Sequence, residues 1–408
     1  MPAINPERLL ADLQRLRQFG AVGNGVVRPA LSPIDIESRN WLRERMQAAG
    51  LHAVIDGIGT VFGRSTRPGP ALIIGSHTDT QPEGGWLDGA MGVMYGLEVA
   101  RAFADSEDCA EFAVDVASWM DEEGRFAHFI GSRAFFDVLA DSEFGSARAP
   151  DGESLSAALA RAAYAGRERS RFEPGRQRAY LEAHVEQGGR LEAEGLRIGV
   201  VTAIVGIRAF RIGFSGEQNH AGTTPMAVRR DAAMALIRFA HALDTRFAAL
   251  AAPDTVWTFG NITVVPGAES IVPGNAELLV QFRDGDAHVL DRFEAGLHEC
   301  VAAARGAVAV SVLEKMTDVA PAAMDPALQT LIAAAAERRA PGQWMHMPSG
   351  AGHDAQVTAA FVPSGMLFVP SIGGVSHSFA EDTDTDDIVL GCQVLADAAE
   401  AFLRALRR

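Results

Sequence analysis

The stretch Ala71-Leu-Ile-Ile-Gly-Ser-His-Thr-Asp79 contains a short apolar run that ends directly in a histidine and an aspartate. A continuous apolar run of this length is typical of a strand that is buried on both faces, as in a parallel sheet. Ligands of open α/β sheets bind beyond the carboxyl ends of the strands. We therefore expect His77 to lie at the functional edge of such a sheet, with Asp79 placed to orient its ring.

The sequence on either side of this strand alternates between helical and strand patterns. Leucines at helical spacing predict a helix over residues 6–17, and Ser32 followed by a proline predicts the start of a second one. This alternation predicts an α/β fold, a mostly parallel sheet with helices on both faces. The other predicted elements of this part are helices at 32–49, 89–104, 154–171, 326–339 and 386–406, and strands at 111–119, 179–184 and 365–370.

A different pattern runs through the middle of the chain, where buried runs are fewer and alternation is stronger. It predicts half-exposed strands at 207–214, 256–265, 276–283 and 308–313 and amphipathic helices at 229–246 and 288–305. Two helices on one face of an antiparallel sheet form a small α+β domain. We predict a catalytic domain of residues 1–206 and 319–408, interrupted by an inserted lid or dimerisation domain of residues 207–318. The free edge of the inserted sheet favours a homodimer.

Composition excludes several classes of protein. The chain has 408 residues, which suggests two domains, and a formal net charge of −16. Such an acidic surface repels phosphate, so we expect neither a nucleic-acid nor a membrane partner. Lys315 is the one lysine of the sequence and lies in an ordinary strand pattern, which argues against a P-loop and against a pyridoxal phosphate enzyme.

The cysteines and the apolar runs suggest a location. Three cysteines stand far apart and form no C-x-x-C pair, so neither a disulfide framework nor a zinc ribbon is indicated. The N-terminal residues lack the pattern of a secretion signal, and no apolar run approaches the roughly 20 residues that span a bilayer. We expect a soluble, cytoplasmic protein.

Side chains of the metal-ligating types recur at four places. Besides His77, they are Asp88 after a glycine-rich loop, the adjacent Glu122 and Glu123 after a strand, His184 in Glu182-Ala-His184, and His377 in Gly374-Val-Ser-His377. A single histidine is more often a packed or solvated residue than a ligand. The recurrence at strand ends favours a site for one or two divalent ions such as zinc, manganese or cobalt.

These residues also suggest a separate chemical role for each carboxylate. A pair of ions needs a bridging carboxylate, and Asp88 is a candidate. Of the adjacent Glu122 and Glu123, one can bind metal while the other takes a proton from water. Metal binding lowers the pKa of water from 15.7 to about 7, which provides hydroxide as the nucleophile at neutral pH.

The motifs together resemble one family, the di-metal amidohydrolases of the aminoacylase and carboxypeptidase G superfamily. The nearest branch contains N-carbamoyl-L-amino-acid hydrolases, allantoate amidohydrolases and bacterial-type β-ureidopropionases. The resemblance runs over nearly the whole chain. The motifs that carry it are His77-Thr-Asp79, Gly84-Gly-Trp-Leu-Asp88-Gly, Asp121-Glu-Glu-Gly, His184-Val-Glu-Gln-Gly, Asn219-His-Ala-Gly-Thr-Thr-Pro-Met and Gly374-Val-Ser-His-Ser-Phe.

The resemblance implies a role for each matching residue. It implies Glu122 as the general base, Asp79 as the partner of His77 and His220 as the residue that steadies the oxyanion, often across a dimer interface. It also implies two metal ions, with Asp88 as the bridging ligand. The implied metal ligands are His77, Asp88, Glu123, His184 and His377.

The resemblance likewise implies how a carboxylate-bearing substrate is held. Gln187 resembles the glutamine that contacts the amide or ureido group, Arg283 the arginine that grips the carboxylate, and His353 a residue of a pocket motif. This sequence departs from the family at Ser270, where the family has asparagine before Val-Ile-Pro-Gly. The identity of the acid-bearing half of the substrate is therefore left open.

The implied reaction is hydrolysis of the C–N bond of an N-carbamoyl or ureido acid, with Glu122 as the base. The same site acting on an N-acyl amino acid or a dipeptide is the alternative. A metal-bearing scaffold without catalysis is a third hypothesis, against which the complete set of Asp88, Glu122, Glu123 and His377 argues.

Overall fold

The computed structural model describes residues 2–304 and 306–407. Within these ranges no helix is both long enough and apolar enough to cross a bilayer. The helices are α1 (Pro6–Arg17), α2 (Pro33–Ala48), α3 (Ala90–Asp105), α4 (Ile130–Phe135), α5 (Asp141–Ser146), α6 (Leu155–Arg161), α7 (Arg190–Glu194), α8 (Ala232–Leu250), α9 (Ala287–Ala303), α10 (Pro326–Arg339), α11 (Asp354–Thr358) and α12 (Thr385–Ala405).

In the described residues the strands belong to one large sheet, one four-stranded sheet and two short antiparallel pairs, β1 with β2 and β10 with β12. They are β1 (Ala21–Val22), β2 (Gly25–Val26), β3 (His52–Ile55), β4 (Val61–Arg64), β5 (Ala71–His77), β6 (Ala113–Trp119), β7 (Gln177–Val185), β8 (Ile198–Ile204), β9 (Gly206–Ser215), β10 (Asn219–His220), β11 (Val256–Val265), β12 (Ile271–Val272), β13 (Asn275–Asp284), β14 (Ala309–Val319), β15 (Ala322–Ala323), β16 (Trp344–Ser349) and β17 (Ser364–Val369).

The chain divides into two compact units. Residues 1–202 with 323–408 form the first unit, and residues 203–322 form the second. The predicted insertion, residues 207–318, lies inside the second unit. The first unit holds the large α/β sheet and the second a smaller antiparallel sheet with two helices, so the predicted fold class is confirmed.

The large sheet has a parallel centre and antiparallel flanks. Its strand order is β15-β8-β17-β7-β5-β6-β4-β3, with β16 paired to β8. The pairs among β17, β7, β5 and β6 are parallel, and these strands are buried along nearly their whole length, as the sequence predicts. β8 against β17, β4 against β6, and β3 against β4 are antiparallel. The sequence analysis did not identify these flanking strands.

Helices cover both faces of the parallel centre. Gly96 of α3 lies against Ile74 and Val116, whereas Phe135 of α4 packs against Trp119. Val116 and Trp119 are three residues apart in β6, and because side chains alternate along a strand they point to opposite faces. The two helices therefore lie on opposite sides of the sheet.

Most predicted helices of the first unit occur where the sequence places them, and their starts have physical causes. Asn5 accepts a hydrogen bond from the N–H of Arg8 at the start of α1, and Ser32 accepts one from the N–H of Asp35 at the start of α2. The helix predicted over 154–171 is wrong beyond Arg161. The chain leaves it through left-handed φ values of 56° at Ala163 and 81° at Gly166.

The second unit is an antiparallel sheet of order β11-β13-β9-β14 with α8 and α9 packed on one face. Alternate residues of β13 are buried, which marks the face toward the helices. The other face stays half-exposed, and β11 and β14 form the two edges. The core between sheet and helices combines aliphatic side chains with six phenylalanines: Phe210, Phe214, Phe239, Phe247, Phe282 and Phe293.

Candidate metal centre

Three neighbouring parallel strands bring the predicted ligands to one edge of the large sheet. β5 ends at His77, β6 ends at Trp119 shortly before Glu122 and Glu123, and β7 contains His184 near its end. β6 and β7 flank β5 and run in the same direction. The carboxyl ends of the strands therefore meet, as the sequence predicts.

His77, Asp88 and His184 form a buried set of possible metal ligands. One nitrogen or oxygen of each lies within 4.8 Å of the others. Asp88 Oδ1 is 3.1 Å from His184 Nε2 and 3.7 Å from His77 Nε2. Two imidazoles and a carboxylate suit zinc and the neighbouring divalent transition metals.

Asp88, Glu123 and His377 form a second set of possible ligands. Asp88 Oδ2 lies 3.4 Å from His377 Nε2, which in turn lies 3.9 Å from Glu123 Oε2. Asp88 thus presents one carboxylate oxygen to each set. This is the arrangement that a bridging carboxylate requires.

Main-chain contacts fix which ring nitrogen of the first two histidines faces the site. Nδ1 of His77 lies 2.9 Å from the carbonyl oxygen of Asp79, and Nδ1 of His184 lies 2.9 Å from that of Val185. Because a carbonyl oxygen only accepts, both Nδ1 atoms carry a proton. In a neutral ring Nε2 then carries the lone pair, and Nε2 of His184 lies 3.0 Å from the main-chain nitrogen of Gly89 and 3.1 Å from Asp88 Oδ1. This is the tautomer that a metal ligand needs.

Glu122 lies beside the centre, and among the residues described it belongs to neither set. Its Oε2 is 3.6 Å from His77 Nε2, and its side chain is buried. Burial and the charges of Asp354, Glu123 and Asp88 raise the pKa of Glu122 well above the usual value. Burial and Asp88 likewise raise the pKa of Glu123 to about 9. Buried negative charge at this density favours a divalent cation.

Asp79 contacts His77 through its main chain, where the sequence analysis expects the side chain to orient the ring. The Asp79 carboxylate instead accepts the N–H of Glu123 at 3.3 Å and faces the guanidinium of Arg39 at 3.5 Å. The buried guanidinium attracts the carboxylate, which leaves the carbonyl oxygen for Nδ1 of His77. The Asp79 side chain therefore supports the second set of ligands.

Two of the predicted substrate residues lie at the centre. Gln187 Nε2 is 3.3 Å from His377 Nε2 and 3.5 Å from Asp88 Oδ2. The His353 ring is buried, with its centroid 4.6 Å from that of His184. Burial, with the neighbouring His184, holds the pKa of His353 well below the usual histidine value.

The structure adds residues that the sequence analysis did not identify. Gln81 donates to Glu123 Oε2 at 2.6 Å, and Glu381 accepts the main-chain N–H of Asp88 at 3.0 Å. Gln81 follows the His77-Thr-Asp79 motif by two residues. Glu381 stands in a run of acidic residues, 381–387, and nothing in that run distinguishes it.

The other predicted residues belong to the second unit. His220 pairs with Ile271 between β10 and β12, and the neighbouring Ala221 N–H donates to the Ser270 carbonyl oxygen. Nδ1 of His220 accepts the N–H groups of Gly222 and Thr223 at 3.0 and 3.2 Å, so Nε2 of the neutral ring carries the proton.

Arg283 lies on β13, where its register partners are Ile207 of β9 and Val256 of β11. Its Nε donates to Gln281 Oε1 at 3.0 Å. This contact orients the guanidinium along the half-exposed face of the sheet.

The sheet, the two ligand sets and the adjacent glutamate define a metallohydrolase. The sequence matches Peptidase family M20/M25/M40 over residues 73–401, and the chain belongs to this family. The resemblance predicted from the motifs is confirmed.

Relatives of known name cover nearly the whole chain. The N-carbamoyl-L-amino-acid amidohydrolase of Paenarthrobacter aurescens is 35% identical, with 98% of each chain covered. The allantoate amidohydrolase of Escherichia coli K12 is 33% identical over 93% of this chain and 94% of its own. A crystal structure of an amidase of the hydantoinase/carbamoylase family from Burkholderia phymatum superposes with a TM-score of 0.96. It is 55% identical, with both chains fully covered.

Proposed function

We propose that this protein hydrolyses a C–N bond of the ureido group in an N-carbamoyl amino acid or a related ureido acid. The observation that carries the proposal is the shared Asp88 carboxylate between two ligand sets, with Glu122 beside them. The names of the relatives, N-carbamoyl-L-amino-acid amidohydrolase and allantoate amidohydrolase, support a ureido substrate over a peptide.

We propose that the centre holds two divalent ions, zinc, manganese or cobalt. His77 and His184 would hold one ion and Glu123 and His377 the other, with Asp88 shared. Their nitrogen and oxygen donors fit these metals. When bound, the ions polarise the substrate carbonyl and lower the pKa of coordinated water to about 7.

The protein's own groups move the protons. In this proposal Glu122 takes a proton from the attacking water and delivers it to the leaving nitrogen. Its position beside His77, outside both ligand sets, supports this role. His220 donates its Nε2–H to the developing oxyanion, a role for which its tautomer is correct.

Polar groups hold the two ends of the substrate. We propose that Arg283 pairs with the carboxylate, assisted by Ser270, and that Gln187 and His353 contact the ureido end. The position of Gln187 next to His377 supports this assignment. Serine is shorter than the asparagine of the family and offers a single hydroxyl, so we expect Ser270 to alter the preference for the acid half.

We also propose that the protein is a homodimer formed through the second unit. β11 and β14 are the edges of its sheet, and Ile262 and Leu313 on them are more than half exposed. Light scattering after size exclusion should give twice the chain mass of 43.3 kDa.

Free Cys109, Cys300 and Cys392 support a reducing, cytoplasmic location.

The activity is tested by measuring ammonia and primary amine together. Protein loaded with manganese, zinc or cobalt is assayed on N-carbamoyl amino acids, β-ureido acids, allantoate, N-acyl amino acids and dipeptides. We expect ammonia and amine to appear together from an N-carbamoyl or β-ureido acid.

Other outcomes would contradict the proposal in different ways. Amine without ammonia would indicate an N-acyl amino acid hydrolase or a dipeptidase at the same site. Bound metal with no turnover on any of these compounds would favour the inactive scaffold.

A further inference from the structure

A buried carboxylate joins the loop of the bridging aspartate to the loop of His377. Glu381 accepts the main-chain N–H groups of Leu87 at 3.2 Å and Asp88 at 3.0 Å on Oε1. Its Oε2 accepts the hydroxyl of Ser376 at 2.8 Å. Glu381 is fully buried, so this contact fixes the main chain of Asp88 relative to the residue that precedes His377.

The loop that contains Gly85 leaves room for the Glu381 carboxylate. A Cβ on Gly85 would lie 1.9 Å from Glu381 Oε1, so a larger residue at this position would displace the Glu381 carboxylate. Next to it, the indole N–H of Trp86 donates to Asp382 at 3.2 Å. Consecutive residues of one loop thus contact consecutive residues of the other.

Between the centre and Glu381 the hydrogen bonds all donate toward Glu381, from Gln187 to Ser376 and from Ser376 to Glu381. Because the Ser376 hydroxyl donates to Glu381, its oxygen is left to accept, and it accepts Gln187 Nε2 at 3.2 Å. A carboxamide whose nitrogen is held in this way presents its oxygen on the other side. Among the residues described, Oε1 of Gln187 has no protein donor.

Ser376 is the partner of Gln187 that metal binding leaves in place. The two other groups near Gln187 Nε2, Asp88 Oδ2 and His377 Nε2, belong to proposed metal ligands. The orientation of the carboxamide therefore depends on Ser376 and, through it, on Glu381.

We propose that Glu381 and Ser376 are positioning residues that orient the Gln187 carboxamide so that its oxygen accepts the terminal N–H₂ of the ureido group. The inference rests on the proposed function, because it concerns the ureido end of that substrate. It predicts that the site prefers an N-carbamoyl group to an acyl group, which has no N–H₂ to donate.

The test compares an N-carbamoyl amino acid with the N-formyl derivative of the same amino acid, which differs by that N–H₂ group. The measured quantity is the ratio of kcat/KM for the two compounds. If the N-formyl compound is not turned over, its Ki as an inhibitor of the N-carbamoyl reaction is measured instead. We expect Glu381→Gln to lower the preference for the N-carbamoyl compound about tenfold. An amide at this position donates to Ser376 and reverses the direction of the hydrogen bonds.

Variants at Ser376 separate orientation from folding. Ser376→Ala should also lower the preference, and Ser376→Thr, which keeps the hydroxyl, should restore it. Ser378→Ala is the control on the same loop, because the Ser378 hydroxyl contacts only the nearby Ala380 N–H among the residues described. If Glu381→Gln does not fold, the Ser376 variants decide the question.

Asp56→Asn is the matched control for Glu381→Gln. Like Glu381, Asp56 is buried and its carboxylate accepts main-chain N–H groups, here those of Ile58, Thr60 and Ser170. We expect this variant to lose stability and to keep the substrate preference of the parent protein.

Two results would overturn the positioning role. One is an unchanged preference in Ser376→Ala and Glu381→Gln, with both compounds affected equally. The other is an equal change of preference in Asp56→Asn. If the parent protein releases no ammonia from any N-carbamoyl or ureido acid, the proposed function fails. The positioning role is then tested by binding alone. The N-carbamoyl compound should bind the parent protein more tightly than the N-formyl compound, and Ser376→Ala should remove that difference; equal binding of the two compounds to the parent protein would overturn the positioning role as well.

Discussion

Glu122 and Glu123 are adjacent in sequence, yet they have different neighbours. Glu123 accepts Gln81 Nε2 and faces His377, whereas Glu122 lies beside His77 and outside both ligand sets among the residues described. Substitution of each glutamate in turn therefore distinguishes a metal ligand from a general base.

We expect Glu122→Gln to keep its metal and to lose about 10³-fold in kcat, because an amide cannot accept the proton of water. Metal content by mass spectrometry and kcat on the best ureido substrate check this. Glu123→Gln is the comparison and should lose metal. Full activity of Glu122→Gln would show that another group is the base.

Gly89 allows His77 and Asp88 to approach each other. Its φ is +63°, and a Cβ there would lie 2.4 Å from the His77 ring. We expect Gly89→Ala to displace the ring and weaken metal binding at least tenfold. Gly69→Ala is the control, because Gly69 has φ +91° but no atom within 4 Å of its Cβ position, so it carries the backbone strain alone. Calorimetric titration with manganese compares the two; equal affinities would exclude the clash as the cause.

At the residue scale the sequence is most informative where a side chain follows a buried strand. His77 and the pair Glu122 and Glu123 could be predicted because strand ends converge, whereas the choice of Glu123 as the ligand came from the family resemblance. Glu381 could not, because its role depends on Gly85 and on main-chain N–H groups that come close only after folding. The role of the Asp79 carboxylate likewise depends on Arg39, 40 residues earlier in the chain.

Helix α2 supports the centre through one buried cation. Arg39 is fully buried, donates to Asp35 at 2.8 Å and to the Gly59 carbonyl oxygen at 3.0 Å, and faces Asp79 at 3.5 Å. Its removal leaves two buried carboxylates without their counterion, which is more costly than the loss of an exposed ion pair.

We expect Arg39→Met to lower the free energy of unfolding by about 3–5 kcal/mol, as for other buried pairs that lose one partner. Urea denaturation of the metal-free protein measures this. The control is Arg43→Met on the same helix, where the side chain is 30% exposed and pairs with the exposed Glu44 at 3.4 Å. A loss under 1 kcal/mol in both variants would show that α2 does not depend on this cation.

Elements with strong periodicity or clear caps could be predicted, and short edge strands could not. α1 and α10 have the bounds that their leucine pattern and N-terminal proline indicate. β3 and β4 have four residues each, too few for alternation to be recognised. Their place is set by pairing, of β4 with β6 and of β3 with β4. The same limit explains the error after Arg161, where arginine- and alanine-rich sequence has high helix propensity but tertiary contacts prevail.

At the scale of the whole molecule, the two units have separate hydrophobic cores. One core surrounds the parallel strands of the first unit, and the other lies between the antiparallel sheet and α8 and α9. Both ligand sets belong to the first unit. The stabilising effect of metal should therefore be confined to residues 1–202 and 323–408.

We expect removal of metal by a chelator to destabilise the first unit, because bound metal favours the ionised form of the carboxylates that Asp88, Glu122 and Glu123 bring together. Ligand binding at 100 times the dissociation constant contributes about 2.7 kcal/mol to stability. Hydrogen exchange, with and without chelator, should become faster in residues 77–89 and 121–127 and stay unchanged in β9 and β13. Restoring the metal should reverse the change, and equal acceleration in both units would show instead that the metal stabilises the chain as one cooperative body.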